Sequence, residues 1–263
     1  ILAGEVPDAG SKLGALENLL GVRRQREIVK TAWEPFETTR LKPAMQFARA
    51  EIASQPYAKG PVYYPFSGPD ATYALAMFPD ATTYVLTGLE PVGGMPDMSK
   101  LSDEELASGL TELRRSLNSI TALSFFQTNH MRTEFRRNLF PGVTPILMLF
   151  ISRHGFAMNG VQKVAIDPNG KLREIDNEPS ADQIAGVRIR FMRKGDLAER
   201  TLFYFRADIS NDGLAKMPHP LKWTASIAPA ATYLKSASYL MHRTEFSQIR
   251  DFILTQTRMV VQD

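Results

Sequence analysis

Residues 61–91 read PVYYPFSGPDATYALAMFPDATTYVLTGLEP, and the organisation of the chain turns on how this stretch is parsed. Residues 61–66 carry the aromatic and branched side chains of a strand, and Pro65 sits where a strand would end. A turn at SGPD (67–70) follows, with Asp70 placed to cap the helix ATYALAMF (71–78) through its carboxylate. PDAT (79–82) is a second turn, and TYVLTGL (83–89) is a second buried strand. Strand, short helix and strand in under thirty residues make a compact βαβ unit. Such a unit has parallel strands and a right-handed crossover.

That parse places a candidate site. In open α/β sheets, ligands lie beyond the carboxyl ends of the strands, where N–H groups at helix starts favour anions. Ser67, Gly68 and Asp70 stand at that edge after the first strand, and Gly88 and Glu90 after the second. A carboxylate closing the second strand is what a nucleotide-type site uses to accept hydrogen bonds from ribose hydroxyls. Gly68 and Glu90 are 22 residues apart, the spacing expected for that role. In this respect the unit resembles the first half of a Rossmann-like or methyltransferase-like fold. It departs from that pattern in its turn, which has one glycine and a proline rather than G-x-G. Pro69 also removes one N–H that would cradle a phosphate. The bland alternative stays open: Asp70 is only a helix cap and Glu90 only a turn residue.

Around this unit, Leu13 to Ile52 follows a helical period, with Leu16, Leu19 and Leu20, then Ile28, Trp33 and Phe36, then Met45, Ala48 and Ile52. Pro35 and Pro43 divide it into two or three kinked helices. Ser102 and Glu105 form a capping box, which predicts a helix to about Ser116 and a second over 118–138. VQKVAI-DPNG-KLREI and VRIRFM-RKGDLAE-RTLFYF read as two hairpins, with Gly170 supplying the left-handed turn residue of the first. Residues 225–241 and 244–256 read as helices, with Thr244 as a candidate cap. RMVVQD ends the chain in a strand-like run, the pattern expected of a chain continuing beyond it. The expected fold is thus α/β: a Rossmann-like mixed sheet with a helical N-terminal segment and C-terminal hairpins plus helices. One domain over 1–263 is expected, with a subdomain seam near 155–162.

Composition narrows the function. Thirty-one basic against 28 acidic residues leave a net charge of +3, too slight a bias for a nucleic-acid partner. Cysteine is absent, which excludes disulfides, thiolate zinc sites and cysteine nucleophiles. The best apolar run, PGVTPILMLFI (141–151), is too short to span a bilayer.

Other chemistry is fragmentary. His130, His154, His219 and His242 lack metal-binding spacing, so no metal site is assigned. His130, a polar interruption in the aromatic stretch FFQTNHM, is the histidine most suited to face a cleft. No G-x-S-x-G elbow or P-loop occurs. Ser67 is the one serine at a strand end, and a triad would need His130 or His154 as base and Asp70 or Glu90 as orienter. DISNDG (208–213) matches half a calcium loop, but its twelfth position is His219, so an Asx-type turn is the better reading. FYF (203–205) could stack bases or sugars; a strand buried on both faces explains it more simply.

YYPFSGPD, FPDATTYVLTGLEPVG, SFFQTNHM, GVTPILMLF and LKSASYLMHRTEFSQIRDFIL together resemble a family of uncharacterised bacterial proteins, often secreted or lipoprotein-like. The resemblance spans about residues 30–263 and carries no activity or cofactor with it. It implies an envelope location, periplasmic or secreted, with anchoring through a removed N-terminus as one form. Two function classes follow. One is a non-catalytic envelope protein that binds a protein partner or small ligand. The other is an enzyme with a nucleotide-like or hydrolytic site at Ser67, Gly68, Asp70 and Glu90, with His130 nearby.

Overall fold

The computed structural model describes residues 1–7, 10–123, 139–193, 195–196 and 198–262. Helix α1 (Leu20–Phe36) buries Val22, Gln25, Val29, Trp33 and Phe36, a stripe at three- and four-residue spacing. Pro35 lies in its last turn, and the hydrogen-bond ladder then loosens into π turns at Glu37–Leu41 and Ala48–Ile52, on either side of α2 (Lys42–Phe47). The prolines bend the helical run instead of ending it.

The βαβ unit follows as β1 (Val62–Tyr64), α3 (Ala71–Met77) and β2 (Thr83–Gly88). β1 and β2 pair in parallel, Val62 with Tyr84 and Tyr64 with Leu86. Next come α4 (Asp103–Leu123), α5 (Thr144–Arg153) and the antiparallel strands β3 (Phe156–Ile166), β4 (Leu172–Glu174) and β5 (Ile184–Arg193). β6 (Arg200–Arg206), α6 (Asn211–Lys216), α7 (His219–Ser226), β7 (Ala231–Leu234), α8 (Ser247–Gln256) and β8 (Met259–Gln262) complete the order.

All eight strands join one mixed sheet in the order β4-β3-β5-β6-β2-β1-β7-β8. The last five in that row are mutually parallel. Taken in chain order they run third, second, first, fourth, fifth, the doubly wound arrangement of a Rossmann-like α/β fold. The winding reverses between β1 and β7. Alternation along the central strands feeds two cores. Tyr64, Tyr84, Leu86 and Tyr204 face α1, α3, α4 and α5 with Trp33 and Phe150. Tyr63, Val85, Phe203 and Phe205 face α7 and α8 with Trp223, Ile249 and Ile253. Trp223 packs edge-on against both Phe203 and Phe205 with centroids 4.8 Å away, so FYF is a doubly buried strand.

Three expectations are corrected. The helix expected over 225–241 is instead the end of α7, strand β7 and a 3-10 turn at Ser238–His242. Ala231–Leu234 is buried throughout, so it lacks the alternation that marks a half-exposed strand. Thr244 opens a 3-10 turn, and α8 begins at Ser247 without a side-chain cap. α4 runs unbroken past Ser116 to Leu123, and the remainder of the helix expected over 118–138 lies outside the described residues. Among the described residues, no helix is long and apolar enough to cross a membrane.

The capping box forms as read: the Glu105 N–H donates to Ser102 Oγ at 3.2 Å, and the Ser102 N–H to Glu105 Oε2 at 2.9 Å. Replacing Ser102 by alanine is expected to cost about 1 kcal/mol in urea denaturation. A change below a few tenths would mean that α4 is held by packing alone.

Candidate functional site

The carboxyl ends of β1, β2, β6 and β7 open into a single cleft of about 600 Å³. Each strand contributes the residues just beyond it: Phe66, Ser67, Gly68 and Asp70; Leu89 and Glu90; Asp208 and Ser210; Lys235 and Ser236. The four candidates Ser67, Gly68, Asp70 and Glu90 therefore meet at one rim. His130 lies outside the described residues.

The two loops flanking the reversal point are strained. Phe66 and Ser236, which are not glycines, hold φ of 57° and 55° and both line the cleft. Each such residue costs about 1–3 kcal/mol, a cost that proteins tend to concentrate at ligand clamps and active sites.

Asp70 is fully engaged. One carboxylate oxygen accepts the Tyr73 N–H at 3.3 Å, which caps α3. The other accepts the Tyr64 hydroxyl at 3.0 Å and the Lys235 ammonium at 3.0 Å. Lys235 also sits 3.6 Å from the centre of the Tyr73 ring, a cation–π contact with little water near it. Both charged residues are buried. Asp70 thus serves as cap and as the anchor of a buried ion pair, and Lys235 was not among the residues singled out in the sequence.

Glu90 differs. It is only 2% exposed, yet no cation pairs with it among the described residues. The Tyr204 hydroxyl lies 2.9 Å from its main-chain oxygen and 3.3 Å from Oε2. Burial, and then the adjacent Glu90 charge, raise the Tyr204 pKa well above its usual value, so this hydroxyl stays a donor. The carboxylate folds back over two glycines. A Cβ on Gly88 would fall 2.5 Å from Glu90 Oε2 and 2.8 Å from Gly68 Cα.

Ser67 is hydrogen-bonded to the backbone. Its hydroxyl is 3.0 Å and 3.2 Å from the carbonyl oxygens of Gly68 and Thr87. His154 Nε2 instead contacts the Thr72 hydroxyl at 2.8 Å, so a Ser67–His154 pair is not formed. The DISNDG segment is the expected Asx turn. Asp208 accepts the Ser210 N–H at 3.0 Å, and Ser210 caps α6 through the Gly213 N–H at 3.2 Å. The cleft carries Asp70, Glu90 and Asp208 against Lys235.

Comparison with family models, with curated proteins and with solved structures gives no match to this chain. The strand order and the cleft's own geometry therefore define its class: a doubly wound α/β protein with a cleft at the reversal point.

Gly88→Ala is expected to destabilise the chain by about 1–3 kcal/mol, because the strand end has no room for a methyl group. An unchanged urea midpoint would contradict the close approach of Glu90 to the glycines. A pH effect follows from His154. Burial lowers its pKa from 6.5 to about 4, against a raising contribution from Thr72. The unfolded chain therefore binds this proton first, and stability falls as the pH drops from 6.5 towards 4. Part of the residue is exposed, so the loss is on the order of 1–2 kcal/mol. His154→Gln should flatten that portion of the curve.

Proposed function

We propose that the chain is a non-catalytic binding protein of the bacterial envelope and that the cleft at the ends of β1, β2, β6 and β7 is its small-ligand site. The observation that carries this reading is Glu90, a buried carboxylate without a cationic partner among the described residues, at the rim of a large cleft. A buried carboxylate needs donors to offset its lost hydration, and a ligand bearing hydroxyl or ammonium groups supplies them. Two strained loops at the same rim fit a site kept for binding rather than for stability. The envelope location rests on the family resemblance. The non-catalytic character rests on Ser67 and His154, each committed to other partners.

A second reading is an enzyme with a Rossmann- or methyltransferase-like site in the same cleft. It is favoured by the doubly wound strand order, since such sheets place their chemistry at the reversal point. The two readings part on turnover: a binding protein returns its ligand unchanged after prolonged incubation.

A thermal-shift screen across nucleosides, S-adenosylmethionine, sugars, amines and divalent metals tests the site. A true ligand at about a hundredfold excess over its Kd should raise Tm by about 5–10 °C. Glu90→Gln should abolish most of that shift while leaving the unliganded Tm unchanged or higher. A Tm shift that survives in Glu90→Gln would place the ligand elsewhere.

A further inference from the structure

We infer that the ligand is a ribonucleoside without a 5′-phosphate, its vicinal ribose hydroxyls donating to Glu90 and its base lying along the aromatic rim. This rests on the reading of the cleft as a small-ligand site and narrows it to one chemical class.

The argument starts at Glu90. Its Oε2 is shared with the Tyr204 hydroxyl, while Oε1 has no hydrogen-bond partner among the described residues. A carboxylate is an acceptor with two oxygens side by side, matched to two neighbouring donors such as a cis-diol. Gly68 lies against the same carboxylate, where a Cβ would meet its atoms at the ordinary contact distance of 3.4–3.5 Å. The placement also agrees, because Glu90 follows the second parallel strand beside the point where the winding reverses.

The rim then calls for a flat apolar group. Phe66 and Phe246 meet edge-to-face with centroids 5.3 Å apart, and both line the cleft. Leu89 and Tyr239 line it too and are 41% and 59% exposed. A bare sugar would leave this surface wet, whereas a nucleobase covers it. The volume of about 600 Å³ falls within the range of about 300–1,000 Å³ usual for small-molecule sites.

A phosphate is disfavoured for three separate reasons. Pro69 has no N–H to offer. Asp70 already takes the Tyr73 N–H at the start of α3. Among the described residues, three carboxylates line the cleft with one lysine, and that lysine is bound to Asp70 at 3.0 Å.

Isothermal titration of the wild-type chain tests this without any substitution, using adenosine, guanosine, cytidine and uridine. Each is compared with its 2′,3′-dideoxy analogue and its 5′-monophosphate. The expected result is binding of at least one ribonucleoside, weakened at least tenfold by loss of the two hydroxyls and at least tenfold by the 5′-phosphate. Glu90→Gln, checked for an unchanged melting curve, should weaken the same ribonucleoside at least tenfold. A dideoxy analogue or monophosphate that binds as tightly as the ribonucleoside overturns the inference. Binding of an alkyl amine or a methyl glycoside with no ribonucleoside bound also overturns it, while leaving the cleft as a ligand site. If no ribonucleoside binds, the inference is overturned, while the reading of the cleft as a ligand site stands or falls on the wider thermal-shift screen.

Discussion

Asp70 follows β1 and Lys235 follows β7, and their side chains meet 3.0 Å apart with less than a tenth of either exposed. These are the two strands between which the doubly wound sheet changes direction, so their carboxyl ends have no crossover helix to hold them together. Moving both charges out of water is costly, and the Coulomb attraction repays that only when the remaining hydrogen-bonding capacity is filled. Here it is filled: Tyr64 and the Tyr73 N–H complete the carboxylate, and the Tyr73 ring lies against the ammonium. The pair ties the loop after β1 to the loop after β7. It thereby fixes one wall of the cleft and the strained conformations of Phe66 and Ser236.

With Asp70 saturated, the two carboxylates of the βαβ unit have different roles. Asp70 is a structural anchor that reaches into the site. Glu90 is the acceptor left with capacity among the described residues, held beside Gly68 and Gly88 and hydrogen-bonded by Tyr204. Under the proposed function, this division makes one rim rigid through Asp70 and leaves Glu90 to meet a ligand. It also explains the glycines, which the backbone needs for space at Gly88 and for its φ of 52° at Gly68.

Much of this was legible in the sequence where local chemistry is strong. Two apolar runs separated by a capped seven-residue helix allow few arrangements besides parallel strands, and β1, α3 and β2 formed accordingly. The capping box at Ser102 and the hairpin turn at Gly170 are determined by residues close in sequence. β7 was illegible because it is four residues long, fully buried and preceded by an Ala-rich stretch that also suits a helix. Its misreading hid Lys235, the partner that gives Asp70 its second role. The insertion of β6 beside β2, and of β7 beside β1, depends on contacts more than a hundred residues apart in sequence. No local propensity encodes such pairings.

The most direct test of the account is a double-mutant cycle on Asp70→Asn and Lys235→Met, read by equilibrium urea unfolding. Each single change breaks this buried ion pair and should cost about 3–5 kcal/mol. The double variant should cost no more than either single, giving a coupling of at least about 2 kcal/mol. Single costs below about 1 kcal/mol that simply add would show that the two strand ends are not tied by this pair.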